Sequence, residues 1–153
     1  MPLITSLANK LAAQYPQFAF TASDTFSWSP TAQCIRYDVQ SDDCQSLVHE
    51  LAHAILTHDT YRRDIELISM EREAWSKAKK LGTMYGISIE EDFIQDSLDT
   101  YRNWLHARST CPNCAATGLQ QKGQYTCIAC GTGWKANDAR ICELRRYVIK
   151  NTP

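Results

Sequence analysis

Apolar residues fall at helical spacing at Leu3, Ile4, Leu7, Leu11 and Ala12, and this predicts a helix over 3–14. Tyr15-Pro16 ends it, because the residue before a proline leaves the helical region. Phe18 to Thr21 and Thr25 to Trp28 alternate apolar and polar positions, as half-buried strands do. Ser29-Pro30-Thr31 reads as a turn, and Cys34 to Val39 as a third strand of a small antiparallel sheet. The polar run Gln40-Ser41-Asp42-Asp43 precedes the next helix, and Asp42 or Asp43 can cap it. In that helix Leu47, Val48, Leu51, Ala52, Ile55 and Leu56 form one buried stripe, and the pattern runs to about His58-Asp59. A second helix is expected from Arg62 to Leu81 with Gly82 as its C-cap, and a third from Glu91 to His106. Asn137 to Ile149 is expected to close the chain as a helix, with Trp104, Leu105, Trp134, Ile141, Leu144 and Tyr147 in one shared core. The fold class is therefore α+β.

Charge changes this picture. The net charge is -1, yet residues 1–106 hold 9 Lys/Arg against 15 Asp/Glu, a balance of -6. Residues 107–153 hold 7 Lys/Arg against 2 Asp/Glu, a balance of +5. Such asymmetry suggests an acidic body, 1–106, and a basic module, 107–153, as two domains. No apolar run reaches the roughly 18 residues of a membrane span, so no membrane association is expected. The first residues lack the features of a secretory signal, and a cytoplasmic protein is expected. Four of the seven cysteines fall in two CxxC pairs, which in a reducing compartment reads as metal binding rather than disulfides.

The predicted helix over the apolar stripe carries His49-Glu50-Leu51-Ala52-His53, an HExxH motif. Residues four apart share a helix face, so His49 and His53 can offer two imidazoles to one metal ion. Glu50 is placed to act as general base on a metal-bound water. His58 and His106 form no comparable pair and read as ordinary histidines. A catalytic zinc needs a third protein ligand. Glu71 lies 18 residues after His53, far enough for a helix to return over the imidazoles. Glu71 is the preferred ligand and Glu73 the second choice, since a helix turns by about 100° per residue and the two glutamates cannot both ligate readily.

HELAH followed by Glu71-Arg72-Glu73-Ala74-Trp75 resembles the ImmA/IrrE-type metallopeptidases, a gluzincin-like group, over roughly residues 44–80. The resemblance implies a zincin-like domain in which His49, His53 and Glu71 hold zinc and Glu50 is the catalytic base. Trp75 stands where the wider group often has Asp or Asn. The implied activity is a zinc-dependent endopeptidase acting on a specific intracellular protein.

Cys111-Pro112-Asn113-Cys114 and Cys127-Ile128-Ala129-Cys130 are separated by 12 residues, the pattern of a zinc ribbon with one structural ion. Two zinc ions per chain are thus expected, one catalytic and one structural. The basic residues Lys122, Lys135, Arg140, Arg145 and Arg146, with Tyr125 and Trp134 exposed, would suit nucleic acid or an acidic protein partner. The alternative reading is accordingly a non-catalytic zinc-binding regulatory module whose ribbon binds such a partner.

Overall fold

The computed structural model describes residues 3–138 and 144–150. It has helices α1 (Leu3–Gln14), α2 (Cys44–Ile55), α3 (Asp64–Met84) and α4 (Glu91–Ser109). A three-stranded sheet comprises β1 (Ala19–Ser23), β2 (Ser27–Ser29) and β3 (Cys34–Asp38), and a four-stranded one β4 (Gly118–Gln121), β5 (Gln124–Cys127), β6 (Gly133–Ala136) and β7 (Arg146–Val148). The α+β class expected from the sequence is what is found. No helix among the described residues is long and apolar enough to cross a membrane.

The chain forms two compact units, residues 1–60 with 70–94 and residues 61–69 with 95–153. This differs from the division expected at residue 106. Charge changes sign there, but α3 and α4 are continuous helices whose residues belong partly to each unit.

In the first unit α2 lies against β3, β2 and α1. Ile4, Leu7 and Leu11 of α1, Ile35 of β3, and Leu47, Val48 and Leu51 of α2 are almost wholly buried. The stripe predicted from spacing is thus the packed face. Asp43 caps α2: its carboxylate accepts from Ser46 N at 2.9 Å and from Ser46 Oγ at 2.5 Å. The sheet order β1-β3-β2 corrects the expected antiparallel arrangement. β3 runs antiparallel to β2 but parallel to β1, with Ala19 opposite Cys34 and Ser23 opposite Asp38. Alternation fixes which face a strand buries, not which strand becomes its neighbour.

α3 also corrects an expectation. Gly82 lies inside the helix, where a Cβ would come within 2.5 Å of the Ile87 carbonyl oxygen. The left-handed terminating residue is Gly86, φ +72°, and Ile87 N–H returns to Gly82 O at 2.8 Å.

In the second unit four strands pair antiparallel in sequence order. Trp134, Tyr125, Cys111 and Cys127 form its small core. The expected terminal helix is replaced, where described, by β7, whose Val148 pairs with Trp134 and Arg146 with Ala136. Apolar positions at 144, 147 and 148 suit a helix as well as a strand, and pairing with β6 decides between them. Tyr147 is exposed and Leu144 and Leu105 half-buried, so of the shared core expected there only Trp104 and Trp134 are buried, and Trp134 packs with Cys111, Tyr125 and Cys127; Ile141 lies outside the described residues.

Candidate metal centres

The first centre is built by α2 and α3. The 3.6-residue repeat stacks His49 over His53, both on the buried side of α2. Their Nε2 atoms are 3.0 Å apart. Glu71 meets both: Oε2 lies 3.0 Å from His49 Nε2, and Oε1 3.2 Å from His53 Nε2. One donor atom from each residue lies within 4.8 Å of the others, so the trio can hold a metal ion. Three protein donors roughly 3.0–3.2 Å apart resemble the edges of a tetrahedron around an ion with bonds of about 2.0–2.2 Å, edges of roughly 3.3 Å. Two buried imidazole nitrogens facing one another can share at most one proton, and an ion would satisfy both lone pairs. Of the two carboxylates weighed from sequence, Glu71 is inside this cluster. Glu73 points elsewhere, to His58 Nε2 at 3.1 Å, with its side chain largely exposed.

Electrostatics distinguish the acids. Burial alone would raise the Glu71 carboxyl, but hydrogen bonds with His49 and His53 outweigh it and hold it down at about 2. Burial raises Glu50 to about 7, opposed by His53 and by a backbone hydrogen bond from Trp28, and aided by the Glu71 charge. Burial likewise lowers His49, keeping its ring neutral as a ligand requires. A glutamate whose carboxyl is raised to about 7 by burial thus stands beside a metal-competent trio.

Two further residues stand at this site: Trp75, at the position where the resembled group often has Asp or Asn, and His58, which the sequence did not single out. Trp75 stacks on His49, ring centroids 4.0 Å apart and planes 23° apart. His58, read as an ordinary histidine, has its Nδ1 2.8 Å from His53 Nδ1. A cleft of about 470 Å³ lined by Tyr15, Phe18, Trp28, Ile55 and His58 opens in this unit. It reaches the residues that touch Glu50 and His53.

The second centre joins the two CxxC turns. Cys111 Sγ lies 3.7 Å from Cys130 Sγ, and Cys114 Sγ 3.4 Å from Cys127 Sγ. Thiolates about 2.3 Å from one tetrahedral ion would be roughly 3.8 Å apart, so the four sulfurs fit an ion closely. Asn113 N–H points at Cys111 Sγ, and the Ala129 and Cys130 N–H groups at Cys127 Sγ. These donors stabilise negative sulfur. The Thr132 hydroxyl and backbone, with Asn113, bring Cys130 down to about 5. Backbone donors lower Cys127 as well. Ala115 takes the left-handed conformation, φ 64°, that glycine takes at Gly131 in the other turn.

The basic residues are placed differently. Lys122, Lys135, Arg145 and Arg146 are exposed, and Arg146 donates to the Thr110 carbonyl. Arg140 lies outside the described residues. Tyr125 and Trp134, expected to be exposed, are 3% and 0% accessible and stack on each other. They fill the small core of this sheet, while Leu119, Tyr147 and Val148 of the same sheet are left exposed.

Comparisons with protein-family models, with curated proteins and with solved structures find no match to this chain.

Proposed function

We propose that the protein is a zinc-dependent metalloendopeptidase of gluzincin-like type with a C-terminal zinc ribbon. The observation that carries this reading is the convergence of His49, His53 and Glu71 on one point beside Glu50. The imidazoles and Glu71 would hold the catalytic ion, with the four cysteines holding a structural one. A zinc ion held by His49, His53 and Glu71 would supply a water activated toward a pKa of about 7 and a Lewis acid for a peptide carbonyl. Glu50, a carboxylate beside the trio, would accept the proton of the attacking water and return it to the departing amine. Glu71, held anionic by its contacts with His49 and His53, would be the charged ligand and offset part of an ion's charge. Trp75 screens one face of His49 from water. The cleft is lined by His58 and Trp28, which neighbour His53 and Glu50, and would be where an extended peptide lies. The substrate class implied is a specific intracellular protein.

Glu50→Gln tests the assignment: it should retain the zinc of the first centre and lose all peptide-bond cleavage, because an amide cannot accept the proton. Cleavage that survives Glu50→Gln would end the proposal. The alternative, a non-catalytic regulatory module binding nucleic acid or an acidic protein, is favoured by one observation, the exposure of Lys122, Lys135, Arg145 and Arg146. It predicts nucleic-acid affinity that falls steeply with salt and weakens on charge reversal at Arg145 and Arg146. The burial of Tyr125 and Trp134 removes the stacking surface that reading relied on.

A further inference from the structure

α2 stops earlier than its apolar pattern does, and the way it stops places a side chain. Leu56 is the C-cap; Thr57 N–H bonds Ala54 O at 3.1 Å, and His58 N–H bonds His53 O at 3.0 Å. This is a Schellman turn, in which the second residue after the cap returns to the third-last residue of the helix. That pair is usually apolar. Here it is His58 over His53. The residue in the left-handed position is Thr57, φ 57°, a conformation that β-branched residues rarely adopt. Its hydroxyl donates to Leu56 O at 2.7 Å.

The turn sets the two rings 5.1 Å apart, with Nδ1 facing Nδ1 at 2.8 Å. The other nitrogen of His58 meets Glu73 Oε2 at 3.1 Å, and the His58 side chain is only 10% exposed. A histidine that ligates through Nε2 must carry its proton on Nδ1. His53 Nδ1–H then donates, and His58 Nδ1 must accept. A neutral His58 that accepts at Nδ1 carries its proton on Nε2, where the Glu73 carboxylate receives it. One placement of hydrogens thus satisfies every contact, and it leaves the His53 lone pair directed at His49 and Glu71.

We infer that His58, anchored by Glu73, is a positioning residue that fixes the tautomer and ring orientation of His53 for metal binding. The inference rests on the metal-binding reading of the first centre. His58 is not itself in the converging set of donors; it touches the ring edge of His53 opposite the coordinating nitrogen. His49 has no equivalent. Its buried Nδ1 finds no partner among the described residues, and stacking on Trp75 sets the plane of its ring but not its tautomer. The hydrogen-bonded support of the site is therefore concentrated on His53, where partners of this kind are worth about 10–100-fold in metal affinity.

The test is a Co²⁺ titration of the full chain against a competing chelator, followed by the d–d absorption of the nitrogen-oxygen site. Thiolate absorption from the four-cysteine centre serves as the internal control. His53→Ala identifies the site. His58→Ala should weaken the His53-dependent site about 10–100-fold while its saturated spectrum stays tetrahedral. His58→Asn places an amide oxygen where Nδ1 was and should restore most of the affinity. Glu73→Gln still accepts from Nε2–H and should change little. If His58→Ala binds within about twofold of wild type, the positioning role is wrong while the metal reading stands. A peptidase KM that rises while metal affinity is unchanged would equally overturn it, in favour of substrate contact. If His58→Ala loses the tetrahedral spectrum and His58→Asn fails to restore it, His58 is a ligand and the inference falls. Wild-type protein with no His53-dependent site would remove the metal reading and the inference together.

Discussion

Asp64 should be among the residues whose loss destabilises the second unit most. It is the first residue of α3, and its side chain is 6% exposed. Its Oδ2 accepts from Arg108 Nε at 2.7 Å and from Tyr125 OH at 2.5 Å, and its own N–H donates to Gln120 Oε1 at 2.7 Å. Arg108 is committed on every side: its guanidinium lies 4.9 Å from the Trp104 ring centroid and donates to Asn137 O, and its carbonyl accepts from Trp134 Nε1 at 2.8 Å. The carboxylate therefore links the start of α3, the end of α4 and β5. Asp64→Ala leaves a buried cation and a buried phenol without their acceptor, which costs about 3–5 kcal/mol. Asp64→Asn keeps the shape and one acceptor oxygen, and should cost less, about 1–3 kcal/mol. In a chain of this length 1 kcal/mol moves the midpoint by about 2–4 °C, so Asp64→Ala should lower it by roughly 6–20 °C. Urea unfolding at saturating zinc measures this, with the buried indoles of Trp104 and Trp134 as reporters in the same unit. Tyr125→Phe in the Asp64→Ala background should add little, because its acceptor is already gone. An Asp64→Ala loss below about 1 kcal/mol, the value of an exposed ion pair, would refute the argument.

Purified protein should contain two zinc ions per chain, one labile to chelators, and Cys111→Ser should remove the tighter one; elemental analysis that still finds both would contradict the four-sulfur centre. Glu71→Ala should release the labile ion while Glu73→Ala retains it in weakened or unchanged form; the reverse pattern would show that Glu73 is the ligand. In the zinc-stripped protein Glu50, whose folded pKa of about 7 lies above its ordinary 4.5, contributes stability below pH 4.5 that is lost as pH rises through 7. Glu50→Gln should accordingly gain stability over wild type on going from pH 5 to pH 8 in urea titrations, and a gain that shrinks would be the wrong sign. Gly118→Ala should destabilise the sheet by about 1–3 kcal/mol, since a Cβ would sit 2.3 Å from the Trp134 ring; thermal melts like those of wild type would mean the ring can move.

Much of the first centre was legible in the chain. His49 and His53 share a face because the helix repeat is nearly four residues, and the apolar stripe around them fixes that face as the buried one. The CxxC turns were legible for a similar reason, since each pair is closed by local backbone geometry. The α+β class and the spans of α1 and α2's start followed from period alone. What a short window of sequence contains, it determines.

Choices between equals needed the tertiary structure. Glu71 and Glu73 have the same chemistry two positions apart, and only the packing of α3 against α2 turns one to the imidazoles and the other to His58. The parallel pairing of β1 with β3 and the β7 strand depend on which edge lies free beside them. His58 was hidden because its turn uses threonine where glycine would have signalled a helix end. Tyr125 and Trp134 could have been surface or core by composition, and only the folded sheet shows that they are buried while Leu119, Tyr147 and Val148 are not. Local periodicity is written in neighbouring residues, whereas a long-range partner is selected by the free energy of packing the whole chain, which no single segment carries.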